Sequence, residues 1–288
     1  MRYIVYMISA LAAMTLCGCS NGDDIALPQS NTSLTIELEQ IRTSLGESVD
    51  GVRSVYWSSG DQIMANELIS SAAKIDGENA KSATFDFASE IAYPCNVLYP
   101  ASFYKNATTI TLPSVQTQTS AGNIDSNTLP MAAYTAVAGE MPRLHHLAGI
   151  IHLQLRAEND TYNNNIRMVE FWSASPDSGN NEQVSGDFTI DYETATLTPA
   201  SNKESAQKVT VVLTSELSVD KVTDIFIVVP AQEYENGFTV RIVNEFGHYL
   251  DKIKLSAQTI SKDEILKMPE FSFIPTGTLI GVEIPNGQ

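Results

Sequence analysis

The 288-residue sequence has few basic side chains, four histidines and three cysteines. It carries 17 Lys and Arg against 34 Asp and Glu, which gives a formal net charge of -17. Nucleic-acid phosphates and anionic lipid surfaces repel a chain with that charge. We therefore expect no nucleic acid among its partners.

Sequence motifs of common catalytic sites are also missing. The chain contains no G-x-S-x-G, H-E-x-x-H, G-x-x-x-x-G-K-[ST], G-x-G-x-x-G or C-x-x-C pattern. His146 and His152 are separated by about 20 Å on a predicted strand, too far apart to share one metal ion. We expect no catalytic residues, no cofactor and no metal, so the protein is not expected to be an enzyme.

Long hydrophobic runs are confined to the start of the chain. Residues 4–16 (IVYMISALAAMTL) are almost wholly apolar, but the run is too short to cross a bilayer comfortably. With Arg2 before it and small residues after it, the run predicts a secretory signal peptide over residues 1–18. No later run approaches the length of a membrane helix, so any anchoring is expected to be by lipid.

The end of this signal peptide, from Leu16 to Cys19, resembles the lipobox of bacterial lipoproteins. The resemblance implies that Cys19 becomes the first mature residue, carries a diacylglycerol and an N-acyl chain, and anchors the protein to the outer membrane. Residues 20–24 (SNGDD) are similar to the acidic tag of surface-exported lipoproteins of Bacteroidota, and residues 19–33 would form the lipidated tether. An ordinary signal peptide cleaved elsewhere is the alternative.

With Cys17 removed and Cys19 acylated, Cys95 is the remaining thiol, so no intramolecular disulfide is expected. The surrounding segment AYPCNVLYP is apolar. This predicts a buried cysteine, with a reactive nucleophile as the alternative.

The rest of the chain has the period-two pattern of β-strands. Leu34, Ile36 and Leu38 alternate with polar residues, as on a strand with one buried face. Short runs of this kind, separated by Gly, Pro, Asn and Ser, predict an all-β protein of sandwich type. Residues 61–75 and 261–268 are the two stretches that could hold a short helix. Further strand-like runs lie at 54–58, 82–88, 95–100, 107–113, 148–157, 166–174, 186–192, 207–214, 224–230, 237–244, 248–256, 270–274 and 278–284.

Two polar, Asn-rich connections interrupt the pattern, at residues 157–165 and 175–183. Either could be a hairpin loop or a linker. We place the domain boundary in the first, which gives an N-terminal β-sandwich at 34–158 and a C-terminal β-sandwich at 159–288.

Six motifs follow one another along the chain. They are SVYWSSGDQI (54–63), VLYPAS (97–102), LPMAA (129–133), LHHLAGIIHLQL (144–155), VSGDFTID (184–191) and IVVPAQEYENGFTVRIVNEFG (227–247). In this order they resemble the motifs of the fimbrillin-like surface lipoproteins of Bacteroidota. The resemblance implies two tandem transthyretin-like β-sandwich domains and a role as stalk, anchor or tip subunit of a surface fimbria.

In that family a subunit polymerises when a strand of one copy adds to an exposed sheet edge of the next, by donor-strand exchange. The first strand covers this edge until it is released by cleavage at an arginine. Arg42 occupies that place here, and Arg53 is the next arginine. The end of the chain, TLIGVEIPNGQ (278–288), alternates and could be the donated strand. Ordinary edge strands at both ends are the alternative.

One segment departs from the family pattern. A glycine-containing turn commonly precedes the last sandwich strand, whereas TISKDEILKMPEF (259–271) has no glycine. This departure weakens the resemblance over about the last 30 residues, and with it the argument that the chain end is the donated strand.

The alternative function is a non-polymerising surface lipoprotein that binds glycan or host protein. Aromatic residues could form a sugar-binding platform, although such residues usually fill sandwich cores. The partners expected across the two interpretations are other fimbrial subunits, the outer membrane and a host or bacterial surface receptor. The candidate platform residues are Tyr162, Trp172, Tyr192 and Tyr234.

Overall fold

The computed structural model describes residues 32–39, 41–44, 52–53, 55–119, 122, 124–160, 164–176, 182–200 and 207–281. In these residues the regular structure is almost entirely β, with two 3-10 turns at Ala101–Phe103 and Ser126–Thr128. The prediction of an all-β protein is confirmed. The strands are β1 (Ser33–Leu38), β2 (Ile41–Ser44), β3 (Val52–Arg53), β4 (Met64–Ala65), β5 (Leu68–Ile69), β6 (Ser82–Asp86), β7 (Cys95–Tyr99), β8 (Tyr104–Asn106), β9 (Thr109–Leu112), β10 (Val115–Gln118), β11 (Met131–Thr135), β12 (Arg143–His146), β13 (Ala148–Ala157), β14 (Asn165–Ser173), β15 (Gly186–Asp191), β16 (Thr196–Pro199), β17 (Lys208–Glu216), β18 (Thr223–Pro230), β19 (Gln232–Tyr234), β20 (Phe238–Asn244), β21 (His248–Lys254), β22 (Gln258–Ile260), β23 (Glu264–Lys267), β24 (Phe271–Phe273) and β25 (Gly277–Thr278).

The two stretches that could have been helical are strands. Residues 61–75 contain the β4–β5 hairpin, whose two turn residues, Asn66 and Glu67, have φ values of 42° and 76°. Positive φ at both central positions is the geometry of a tight hairpin turn. Residues 261–268 contain β23. Tertiary pairing prevails over local helical preference in both places.

Four larger sheets and one two-stranded sheet make up the described part of the chain. The first has the order β5-β4-β7-β11-β12-β1-β6. The second has the order β10-β17-β14-β20-β21-β25. The third has the order β18-β13-β23-β2-β3, with β24 also paired to β13. The fourth has the order β16-β15-β9-β8, and β19 pairs with β22.

The side chains between these sheets form three apolar cores. Core 1 lies against the seven-stranded sheet and includes Ile36, Trp57, Phe85, Val97, Ile150 and Phe226. Core 2 lies between the second and third sheets and includes Leu153, Phe171, Val211, Ile227, Tyr234 and Ile242. Core 3 joins the seven-stranded and four-stranded sheets and includes Met64, Leu98, Phe103, Ile110, Phe188 and Tyr192.

Strand β13 takes part in two cores because successive side chains point to opposite faces. Ile150 packs in core 1, whereas Ile151 and Leu153 pack in core 2. Gly149 lies where the turn after β22 approaches closely. A Cβ atom there would meet Ser261 O at 2.5 Å, so a larger residue would force the two segments apart.

Strand pairing crosses the predicted boundary near residue 158. Strand β9 pairs antiparallel with β15, and β10 pairs parallel with β17. The division into sandwiches at 34–158 and 159–288 therefore stays a prediction.

Two buried glutamines of β10 join the second sheet to the third. The Gln116 side-chain amide donates to Val228 O at 2.6 Å and accepts from Val228 N at 3.1 Å. Gln118 makes the same two kinds of bond, accepting from Phe226 N at 3.0 Å and donating to Asp224 O at 3.1 Å. These amides satisfy backbone groups on the edge of β18 that faces away from β13.

We expect Gln116→Leu to destabilise the protein by about 2 kcal/mol or more, since it leaves two buried backbone groups of Val228 without partners. The free energy of unfolding from urea titration measures this. Thr117→Ala, at an exposed neighbouring position of β10, is the matched control. Equal stability of the two variants would contradict the role of the glutamine amide.

Candidate functional site

Strand β1, the candidate for release, is an interior strand of the seven-stranded sheet. It pairs parallel with β12, where Glu37 faces Arg143, and antiparallel with β6, where Leu34 faces Phe85. Leu34, Ile36 and Leu38 are 3%, 0% and 2% exposed and belong to core 1. One backbone edge of β1 is thus paired with β6 from Ser33 to Glu37, the other edge is paired with β12 at Glu37 and Leu38, and one whole face is buried.

Residues of two sequence motifs build the wall against which β1 packs. The Trp57 indole Nε1 donates to Ile36 O at 3.3 Å, and its ring meets Phe85 and Tyr99 edge-on at centroid distances of 4.9 and 5.0 Å. The Tyr99 hydroxyl donates to Asp61 Oδ1 at 3.0 Å. The motif residues Trp57, Asp61 and Tyr99 thus have a structural role.

The C-terminal end of β1 is held by two histidines of β12. His145 Nδ1 lies 2.9 Å from a carboxylate oxygen of Glu39, and His146 Nε2 lies 3.3 Å from the Glu39 carbonyl oxygen. Burial lowers the pKa of His146 to about 4, so that imidazole is neutral at physiological pH. These contacts fix the chain where it leaves the seven-stranded sheet.

Asp263 lies next to this junction, in the turn between β22 and β23. Burial and then the negative charge of Glu39 raise the pKa of Asp263 to about 6, and its Oδ1 has no hydrogen-bond partner within the described part of the chain. Asp263 has a φ of 64°. It therefore adopts the left-handed conformation that glycine supplies most easily, in the segment where the family pattern has a glycine.

The two candidate processing residues differ in their backbone pairing. Arg42 lies in β2, where it faces Glu264 of β23 on one side and Val52 of β3 on the other. Arg53 lies in β3, the last strand of the third sheet among the described residues, and faces Ile41. Arg53 is thus at a sheet edge, whereas Arg42 is one strand further in.

The candidate donor segment is described only at its beginning. Strand β25 pairs with the first two residues of β21, and Leu279 N donates to Gly247 O at 2.8 Å. Ile280 is 92% exposed. Ile280 is thus an exposed apolar side chain shortly after β25. Residues 282–288 lie outside the described residues.

A cavity of about 450 Å³ lies where the four-stranded sheet stops covering the seven-stranded sheet. Two of the lining residues, Tyr134 and Arg143, belong to the adjacent strands β11 and β12. Ala132 pairs with His145, and Tyr134 and Arg143 each lie two positions further along, so all four side chains are on one face of the sheet. The opposite wall is the turn after β15. The cavity is lined by Tyr134, Thr135, Glu140, Met141, Pro142, Arg143, His145, Tyr192 and Glu193.

The turn that forms this wall is held from two sides. The Asp191 carboxylate accepts the N–H groups of Glu193 and Thr194 at 2.9 and 3.1 Å. Lys262 Nζ donates to Thr194 O at 3.0 Å and to Ala195 O at 3.3 Å. These bonds fix the position of the cavity wall without a ligand.

Tyr192 is 7% exposed, and its hydroxyl has no hydrogen-bond partner among the described residues. Burial raises its pKa to about 12, so the hydroxyl remains a proton donor at neutral pH.

Of the other candidate platform residues, Tyr234 is wholly buried and Trp172 is half-buried beside Lys208 and Arg241. Tyr162 lies outside the described residues. The sequence did not identify Tyr134, Glu140, Arg143 or Glu193 as candidate site residues. They line one cavity because of the register between strands, which no local sequence pattern shows.

Cys19 and Cys95 are the two cysteines of the predicted mature chain. Cys19, the candidate lipidation site, lies outside the described residues. Cys95 is fully buried, and burial raises its pKa to about 12, as expected for a buried rather than reactive thiol.

Within the described ranges no group of three His, Cys, Asp or Glu side chains is arranged to hold a metal ion. No helix in those ranges is long and apolar enough to cross a membrane.

No protein-family model and no curated protein matches the sequence. Two solved structures, each described as a "putative cell adhesion protein", resemble the chain along its length. The first, from Bacteroides fragilis, has 12% identity and a TM-score of 0.50 over 86% of this chain and 95% of its own. The second, from Bacteroides ovatus, has 13% identity and a TM-score of 0.49 over 88% of this chain and 98% of its own.

The tip fimbrial protein Mfa3 of Porphyromonas gingivalis also matches, with 10% identity and a TM-score of 0.34 over 85% of this chain and 95% of its own. That score is too low to support a shared fold. The TM-score of 0.50 with the Bacteroides fragilis structure does support a shared fold. The structure that supports a shared fold is described as a "putative cell adhesion protein" of a Bacteroides species, which is consistent with the resemblance to the fimbrillin-like family of Bacteroidota.

We expect Asp263→Asn to stabilise the protein at neutral pH. The raised pKa means that the folded state favours the protonated carboxyl, so this contribution is present below about pH 4 and is lost as the pH rises towards 6. Asparagine tolerates the positive φ and cannot ionise. The expected gain is about 1 kcal/mol at pH 7, because solvent screens a partly exposed carboxyl.

Urea unfolding at pH 7 and near pH 4 measures this effect, and the gain should shrink at the lower pH. Glu264→Gln removes the same charge at an exposed neighbouring position and is the control. A gain that is independent of pH, or one shared by the control, would contradict the assignment to Asp263.

Proposed function

We propose that this protein is a cell-surface fimbrial or adhesion component of the fimbrillin-like type, anchored to the outer membrane through lipidated Cys19. The observation that carries the proposal is the position of β1. A strand that lies between two neighbouring strands and is buried on one face leaves a strand-shaped gap when it is removed. Such a gap is the acceptor that donor-strand exchange requires.

The chain also contains a segment suited to that gap. In β1 the apolar side chains are Leu34, Ile36 and Leu38, at every second position. In the chain end they are Ile280, Val282 and Ile284, with the same spacing. A segment with the same period can present three apolar side chains to one face of a sheet and restore backbone bonds to both neighbouring strands. We propose that the chain end of one subunit replaces β1 of the next.

Processing at Arg53 fits the pairing better than processing at Arg42. A protease binds its substrate as an extended chain with free backbone groups, and segments with few hydrogen bonds are cut preferentially. Arg53 is paired on one side and Arg42 on both. Cleavage after Arg53 would also separate β1, β2 and β3 from the rest of the subunit together with the lipid anchor.

We expect Arg53→Ala to abolish processing and the formation of high-molecular-weight ladders, and Arg42→Ala, the matched control, to leave both intact. N-terminal mapping and mild-detergent gels of protein recovered from the cell surface test this. A new N-terminus directly after Arg42 in the wild-type protein would overturn the choice of Arg53. A single monomeric species with an intact N-terminus would favour the non-polymerising alternative.

We expect the unprocessed protein to begin at Cys19 and to carry three acyl chains, because the lipobox resemblance places the modified cysteine there. Intact mass of the membrane fraction measures this. Cys19→Ser should release the protein from the membrane, since the sequence has no other apolar run long enough for an anchor. Cys95→Ser serves as the control for loss of a thiol. Membrane retention of the Cys19→Ser variant would contradict lipid anchoring.

The similarity of the fold to structures described as cell adhesion proteins supports the adhesion part of the proposal. The alternative is a surface lipoprotein that binds a glycan or a host protein and does not polymerise. The cavity beside Tyr134 and Tyr192 favours that alternative and is also compatible with an adhesive fimbrial subunit.

A further inference from the structure

We propose that the cavity between the β11–β12 hairpin and the turn after β15 is a binding site for a neutral saccharide. This inference deepens the adhesion part of the proposed function and rests on it. It does not depend on polymerisation, because every residue that lines the cavity belongs to one subunit and lies outside β1 and the chain end.

The size of the cavity suits a small ligand. Its volume of about 450 Å³ lies within the range of about 300–1,000 Å³ found for small-molecule sites. Its walls come from two sheets that core 3 holds together, and the turn at Glu193 is fixed by Asp191 and Lys262. A wall held in this way loses little conformational freedom on binding.

The chemistry of the lining favours a polyhydroxylated ligand. Tyr134 is 37% exposed and offers an aromatic ring to the apolar C–H face of a sugar. The carboxylates of Glu140 and Glu193 accept hydrogen bonds, and the Arg143 guanidinium donates them. A ligand with hydroxyl groups, which donate and accept in several directions, can satisfy both kinds of group at once.

The charges disfavour other ligand classes. The chain has a net charge of -17, and the cavity contains two carboxylates against one guanidinium, so the net field disfavours an anionic sugar or an acidic peptide. An apolar ligand would bury the charged groups of Glu140, Arg143 and Glu193 without hydrogen bonds, which is costly. A neutral saccharide avoids both penalties.

The test measures binding of lactose, cellobiose and diacetylchitobiose to the full mature chain by saturation-transfer NMR, with sialyllactose as the anionic counterpart of lactose. We expect saturable binding of at least one neutral sugar and weaker binding of sialyllactose than of lactose. Tyr134→Ala should weaken binding about tenfold through loss of the ring platform. Tyr56→Ala, at an equally exposed tyrosine outside the cavity, should not change it.

Unchanged affinity in Tyr134→Ala would overturn the proposal, as would tighter binding of sialyllactose than of lactose or the absence of any saturable sugar binding. Tyr134→Ala should still form high-molecular-weight ladders, so that failure of sugar binding and failure of the proposed fimbrial assembly are distinguishable.

Discussion

The third sheet is the constraint on which the rest of the structure depends, since its strands supply side chains to two cores. Alternate residues of β13 and β18 point in opposite directions, so Ile150 and Phe226 enter core 1 while Leu153 and Ile227 enter core 2. A change of register by one residue would exchange the two sets. The glutamine amides of β10 fix the far edge of β18 and so hold the second and third sheets in register.

This shared sheet bears on how a subunit can release its first strand. Removal of β1 uncovers three fully buried aliphatic side chains, each worth about 1.5–3 kcal/mol of burial, and opens two backbone edges. Spontaneous loss of β1 is therefore unfavourable, and a replacement strand must restore a similar apolar face. The third sheet contributes Ile150, Phe226 and Ile265 to the same core.

Several motif residues that resemble the fimbrillin-like family have structural roles. Trp57 and Tyr99 form the aromatic wall behind β1, and the Tyr234 hydroxyl donates to Pro230 O at 3.0 Å inside core 2. Such residues specify a fold without specifying a ligand. The cavity at Tyr134 and Arg143 lies on the face of the seven-stranded sheet that the four-stranded sheet covers only in part, and its strand β12 is also the neighbour of β1.

The sequence by itself determined the β class and most strand positions, because period-two alternation is a local property that survives in any β arrangement. It also predicted that Cys95 is buried. The possible helices at 61–75 and 261–268 were wrong, since pairing partners distant in sequence decide short mixed segments. Only the tertiary structure decided that one sheet serves two cores, that Arg53 lies at an edge while Arg42 does not, and that Tyr134 and Tyr192 line one cavity. Each of these depends on the register between strands far apart in the chain, which no local pattern encodes.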